Sequence, residues 1–376
     1  MNTQKNIISV VLVVAVVLGI AYLNSQKAPR GSTDGSVAVT PRLSSDSEKN
    51  QNISPEDTTQ GKPSMEQKTA SIQKSKKYTL AKEITTPDGF INTDGKPITI
   101  SQYIGKKVIL IDFWTYSCIN CQRTTPYLNA WYEKYEDQGF VIIGIHTPEF
   151  EFEKVYQNVL DATRKEGIKY PVVLDNDYST WTAYQNRFWP RKYLIDIDGY
   201  VIYDHIGEGA YEETEKKIQE ALSERAAVLG EDGTISQSLT KEISVQNGAK
   251  SGETYFGSAR NAEQKNLLFP NDGWDITPEF AQNNSANASI VYTYTAKDVF
   301  FVAEANMETV VEVFLDGKPL GSEAGTDVIK TADGKTVVKI KEARLYKIIQ
   351  GKQSETHKLE LKMQKPGLKA FTFTFG

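Results

Sequence analysis

Cysteine is scarce in this chain. Only Cys118 and Cys121 occur among 376 residues. Two thiols cannot build the disulfide framework of a small secreted domain, and domains of ordinary size do not need one. Histidine is nearly as rare, and His146, His205 and His357 are far apart. A structural zinc site wants four ligands in closely spaced pairs, so no metal is expected. Positive charge is not in excess either: the net charge of −5 at pH 7 lacks the basic footprint of a nucleic-acid binder. Aromatic residues are absent from residues 24–77, and one long apolar run precedes that stretch.

That run, residues 7–23 (IISVVLVVAVVLGIAYL), is close to the length that spans a bilayer as a helix. No clean A-x-A site and no lipobox cysteine follow it, so residues 1–26 are expected to be an uncleaved membrane anchor rather than a signal peptide. The common fate of this layout is a soluble body outside the cytoplasmic membrane. Residues 27–77 are rich in Ser, Thr, Gln, Lys, Pro and Gly and cannot bury enough apolar surface to offset their ordering entropy. They are expected to be a disordered tether with a root-mean-square span of roughly 40 Å.

Residues 78–230 alternate strand and helix signals. KKVILIDFW, FVIIGIH and YPVVLD are short β-rich runs separated by helix-like stretches, which predicts βαβ units on a parallel sheet. RKYLIDI and YVIYDH around Asp198-Gly199 predict a hairpin, and an amphipathic helix follows from Tyr211. The Cys-x-x-Cys lies where the first of these strands passes into its helix. At a helix N-terminus, unpaired backbone N–H groups and the helix dipole favour a thiolate. Cys118 is therefore the expected nucleophile. Cys121, one turn further in, is the expected resolving thiol, so the pair would cycle between dithiol and disulfide without a metal or organic cofactor.

The segments WTYSCINCQRTTPY, GIHTPEFEFEKVYQNV, YPVVLDND and WPRKYLIDIDG resemble the thioredoxin superfamily. Within it they resemble the TlpA-like oxidoreductases, and most of all the soluble part of DipZ-type proteins. The resemblance implies a thioredoxin-like α/β domain, thiol-disulfide oxidoreductase activity on protein disulfides, and further site residues. Asp112 matches the buried carboxylate that takes the resolving thiol's proton. Trp114 matches the tryptophan beside the pair. Trp189 and Pro190 match the cis-proline segment that lines the substrate groove. Arg191 departs from the small residue usual there. His146 and Glu149 are candidates for a proton relay. DipZ-type relatives carry a fused electron-conducting membrane domain, so a separate CcdA-like membrane electron donor is implied here. Ile119-Asn120 lacks the histidine of strong oxidants, which points toward a reductase.

After residue 230 short alternating runs such as IVYTYT, VFFVA, TVVEVFL, RLYKII, KLELKM and AFTFTF predict an all-β sandwich over residues 231–376. In the DipZ-type resemblance this region is carbohydrate-binding-module-like, with Trp274 and Tyr255 as candidate ligand aromatics for a glycan. Two rival functions remain at this point. One is a cell-wall glycan- or protein-binding adaptor with a non-catalytic cysteine pair. The other is a thiol peroxidase, since TYSC has the T-x-x-C spacing of peroxiredoxins, although Ile111 stands where that family has proline.

Overall fold

The computed structural model describes residues 73–232, 235 and 249–376. The expected anchor and most of the expected tether lie outside these residues. No helix among the described residues is long and apolar enough to cross a membrane. At the tether's end the structure differs from the sequence expectation, because residues 73–77 form a helical turn. Lys74 fastens this turn, with its ammonium 2.7 Å from Asp196 and from Asp198 and 2.5 Å from Glu224.

The first sheet is built from β1 (Thr79–Leu80), β2 (Gly89–Ile91), β3 (Val108–Trp114), β4 (Phe140–His146), β5 (Val172–Leu174), β6 (Arg191–Ile195) and β7 (Tyr200–Ile206), in the order β1-β7-β6-β3-β4-β5-β2. β3, β4 and β5 are parallel, as the βαβ reading requires, while β6 is antiparallel to both β3 and β7. The crossovers carry α1 (Ile119–Tyr135) and α2 (Tyr156–Lys165). A short α3 (Ser179–Ala183) precedes β6, and α4 (Tyr211–Leu229) follows β7. The β6–β7 hairpin turns at Gly199, whose φ of +89° suits a residue without Cβ. Asp196 holds that turn by accepting bonds from the Asp198 and Tyr200 amides at 3.1 and 2.9 Å.

Strand alternation sorts side chains onto two faces. Ile109, Ile111 and Phe113 pack with Ile143, Ile145 and Tyr193 on one of them. Val108, Leu110 and Trp114 pack with Phe140, Ile142 and Leu194 on the other, beneath Leu128 and Trp131 of α1 and Ile218 and Leu222 of α4. Asp112 alternates onto this second face.

The described residues of the C-terminal region form one hydrogen-bonded sheet of eleven strands. Two pairs of strands expected to be separate are single long ones: IVYTYT and VFFVA both lie in Ser289–Ala305, and RLYKII and KLELKM both lie in Arg344–Met363. The polar residues between them continue the strand, and register shifts at Ala296/Asp298 and Val299/Phe300 supply the local bend that separate strands would have provided. Ile290, Phe301, Val313, Leu361 and Phe373 contribute to a core belonging to this region. Phe300, Val302, Leu345 and Phe371 instead join the helix-side core of the first sheet. The two sheets thus share one apolar cluster.

Candidate active site

The site is assembled where β3 ends. Cys118 is the N-cap of α1, with extended backbone (φ −82°, ψ 118°) and no side-chain capping bond, and its carbonyl accepts the Gln122 amide at 3.1 Å. No acidic residue occupies the first turn of α1. The positive end of the helix therefore meets the Cys118 position without a competing carboxylate from the helix itself. Cys118 is half-buried, Cys121 is buried, and both are free thiols. Burial pushes the Cys121 thiol well above its ordinary range, and neighbouring Cys118 and Asp112 add to the effect. A thiol of that kind needs a base before it can attack.

Asp112 is the carboxyl group that neighbours Cys121. It is buried directly beneath α1, with strand neighbours Lys192 on β6 and Gly144 on β4. Burial raises the Asp112 carboxyl from 3.8 to about 7, and the charge of Lys192 pulls the other way. One of its oxygens, Oδ1, has no hydrogen-bond partner. Gly144 leaves room for the aromatic wall of the site. A Cβ there would lie 2.9 Å from Trp114 Nε1 and 3.2 Å from Tyr170 Cε2.

Trp114 is buried and meets His146 edge-on, with ring centroids 5.1 Å apart. His146 is wholly buried, lies 3.4 Å by Nε2 from the Thr115 hydroxyl and stacks on Tyr116. Burial lowers its imidazole to about 3, so the ring is neutral over the ordinary pH range. Trp189-Pro190 is a cis peptide. Trp189 donates from Nε1 to the Thr147 carbonyl at 3.0 Å, which ties the proline segment to the end of β4. Pro190 is buried, and its carbonyl accepts the Gly207 amide at 2.8 Å. Arg191 is already engaged: it pairs with Asp204 at 2.6 Å and lies over the Tyr193 ring.

Glu149, the other relay candidate, lies on the loop that follows β4. Its carboxylate turns to the C-terminal region, where it pairs with Arg260 and accepts a 2.8 Å bond from the Tyr255 hydroxyl. The carboxylate that does reach the cysteine loop is Glu153, which is wholly buried. Its Oε1 accepts from the Ser117 amide at 3.2 Å and the Ser117 hydroxyl at 2.6 Å, and its Oε2 accepts from the Glu149 and Phe150 amides. Burial, then the charge of Glu149, raises Glu153 from 4.5 to about 7 against these bonds. Glu153 thereby clips the loop before Cys118 to the loop after β4.

The C-terminal sheet forms the neighbouring wall. Phe371 packs on Phe150 and Phe152 with centroids 5.1 and 4.8 Å away, and the Tyr116 hydroxyl donates to the Ala343 carbonyl at 3.2 Å. A cleft of about 900 Å³ opens beside the cysteine loop, between Tyr116, Ile119 and Arg123 on one side and Asp327, Arg344 and Lys347 on the other.

Known proteins match both parts of the chain. The family model described as Redoxin matches residues 79–222, and the one described as thioredoxin like C-terminal domain matches residues 241–376. Thiol-disulfide oxidoreductase ResA of Bacillus cereus is 33% identical over 132 residues, which are 35% of this chain and 73% of that protein. This chain belongs to the thioredoxin-like thiol-disulfide oxidoreductases. Among other members of the family, Protein DipZ of Mycobacterium tuberculosis is 36% identical over 318 residues, 78% of this chain. The chain spans 43% of that relative's length. A solved thiol:disulfide interchange protein of the thioredoxin family, from Chlorobium tepidum, aligns with 39% of this chain and 97% of its own at 22% identity and a TM-score of 0.33.

Of the residues singled out in this chain by sequence, the structure brings Cys118, Cys121, Asp112, Trp114, Trp189 and Pro190 to the end of β3 and the segments beside it. Trp274 and Tyr255 are not open ring faces. Trp274 is buried in the C-terminal core, and Tyr255 is half-buried against Glu149 with Arg260 stacked 4.6 Å from its ring centroid. Sequence reasoning passed over Lys192 and Glu153. Lys192 is detectable in principle, because alternation in RKYLIDI puts it on the same face as Leu194. Glu153 sits in a charged EFEK turn and gives no such signal.

Proposed function

We propose that this chain is an extracytoplasmic, membrane-tethered reductase of protein disulfides that works through the Cys118–Cys121 dithiol. The observation that carries the proposal is the asymmetry of the pair: a half-buried thiol caps a helix, and a buried one lies above a carboxyl group. Cys118 thiolate attacks a substrate disulfide; the substrate S–S bond breaks, a mixed disulfide forms and the first substrate sulfur leaves as thiolate. Cys121 then passes its proton to Asp112 and attacks the Cys118 sulfur, which releases the second substrate sulfur. Two electrons move to the substrate, and the Cys118–Cys121 disulfide is left to be reduced. A CcdA-like membrane donor suits that need, and the apolar run at residues 7–23 would hold the body beside it. Trp189-Pro190 would align the substrate chain by backbone pairing.

We read the C-terminal sheet as a carbohydrate-binding-module-like sandwich used here as a wall of the redox site, a role supported by the Phe371 contacts. The test is insulin reduction with dithiothreitol. The wild-type chain accelerates it, Cys118→Ser does not, and Cys121→Ser accumulates a mixed disulfide through Cys118. A wild-type chain that neither accelerates reduction nor forms that adduct in the Cys121→Ser variant removes the reading.

A further inference from the structure

A lysine inside an apolar core is costly and is retained only where its charge is met. Lys192 is such a residue, with no exposed surface at all. It does not reach solvent with its ammonium, which donates to the Gly207 carbonyl at 3.2 Å and lies 5.7 Å from the centre of the Tyr211 ring. Strand register sets it beside Asp112, on the face covered by α1. Asp112 in turn keeps Oδ1 without a hydrogen-bond donor. The titratable groups around the ammonium are Asp112 from β3, Cys121 from α1, His205 from β7, Glu208 from the loop after β7 and Tyr211 from α4. Glu208 is itself paired with Arg123 at 3.2 Å. Tyr170, behind Asp112, adds a further phenol.

We propose that Lys192 is a positioning residue for the resolving step, its ammonium being the fixed counter-charge that keeps Asp112 able to take the Cys121 proton near neutral pH. This rests on the thiol-disulfide reading above. In that step a proton moves from Cys121 sulfur to the Asp112 carboxylate. The Cys121–Cys118 bond forms, the bond from Cys118 to the substrate breaks, and the electron pair leaves on the substrate sulfur. One negative charge shifts from carboxylate to thiolate and then out with the substrate. Lys192 gives up no proton. It faces the anion at each stage, and without it both anions would sit in apolar surroundings with no opposing charge.

The test uses the full chain and 5,5′-dithiobis(2-nitrobenzoate). The first thionitrobenzoate released reports attack by Cys118, and the second reports resolution by Cys121. In Lys192→Met the pH midpoint of the second release moves up by about one to three units, and its rate at pH 7 falls about tenfold or more, because an opposite charge is worth that much to a carboxylate. The first release keeps its rate, and Lys192→Arg keeps the wild-type midpoint. An unmoved midpoint in Lys192→Met, or a second release slowed by one factor at every pH, overturns the proposal. If Lys192→Met does not fold, Lys192→Arg decides: a midpoint displaced upward despite the retained charge overturns it, and a retained midpoint supports it. A wild-type chain that releases no second thionitrobenzoate refutes the parent reading instead.

Discussion

Asparagine at position 112 should make this protein more stable, and the gain should depend on pH. The Asp112 carboxyl stands at about 7 in the fold against an ordinary 3.8. Its folded value is raised, so its stability contribution is fully present below about 3.8 and is lost as pH rises to about 7. Between those limits the unfolded chain has released this proton and the folded chain has not, so folding weakens by about 1.4 kcal/mol per pH unit and by roughly 4 kcal/mol in all. Asparagine mimics the protonated acid. The Asp112→Asn variant should therefore match the wild type near pH 4 and exceed it by roughly 4 kcal/mol at pH 7 to 8. His146 and Glu153 also titrate abnormally, but they are present in both proteins and cancel in the difference. Urea denaturation of the two reduced chains at pH steps from 4 to 8 gives the curve directly. A flat difference would mean that Asp112 ionises like an exposed carboxylate, and the account of a buried base would fail.

Three further outcomes follow from the same geometry. Phe371→Ala removes a ring packed on Phe150, Phe152 and Phe280 and should cost about 3–5 kcal/mol; urea denaturation read by tryptophan fluorescence and by alkylation of the buried Cys121 should show the loss by both probes. Glu153→Gln replaces one carboxylate oxygen by an NH₂ group; set toward Ser117, whose hydroxyl can turn to accept from it, the amide still leaves the Ser117 backbone N–H without its acceptor at about 1–3 kcal/mol. The same variant should slow Cys118 alkylation by altering the loop before it. Gly144→Ala forces a methyl group against Trp114 and Tyr170 and should destabilise by about 1–3 kcal/mol, with a change in Trp114 emission as its signature.

The parts of the fold legible in the sequence are those where one short-range signal suffices. β3 and β4 are mostly apolar runs rich in Val and Ile and buried on both faces, so their existence and parallel pairing are readable, and β4 coincides with FVIIGIH. Cys118 as the start of α1 follows from the strand-to-helix switch around it. The limits of the C-terminal strands are less legible. Lys297-Asp298 and residues 350–357 look like turns, yet exposed positions of a long bent strand tolerate the same polar residues. The surroundings of Glu149 are hidden for another reason: its partner, Arg260, lies 111 residues away in the sequence, and no local pattern reveals such a pairing. Lys192 shows the converse case, since its face is readable but the cost of placing its charge there becomes evident only once α1 is seen to cover it.

The central claim is that Cys118 and Cys121 exchange two electrons with external disulfides. The most direct test is an equilibrium redox titration of the pair in glutathione and dithiothreitol buffers, with the reduced fraction read by thiol alkylation. One two-electron transition is expected, with a potential near or below that of thioredoxin, about −270 mV. A pair that never exchanges would contradict the thiol-disulfide reading, and a potential near that of DsbA, about −120 mV, would contradict the reductase assignment.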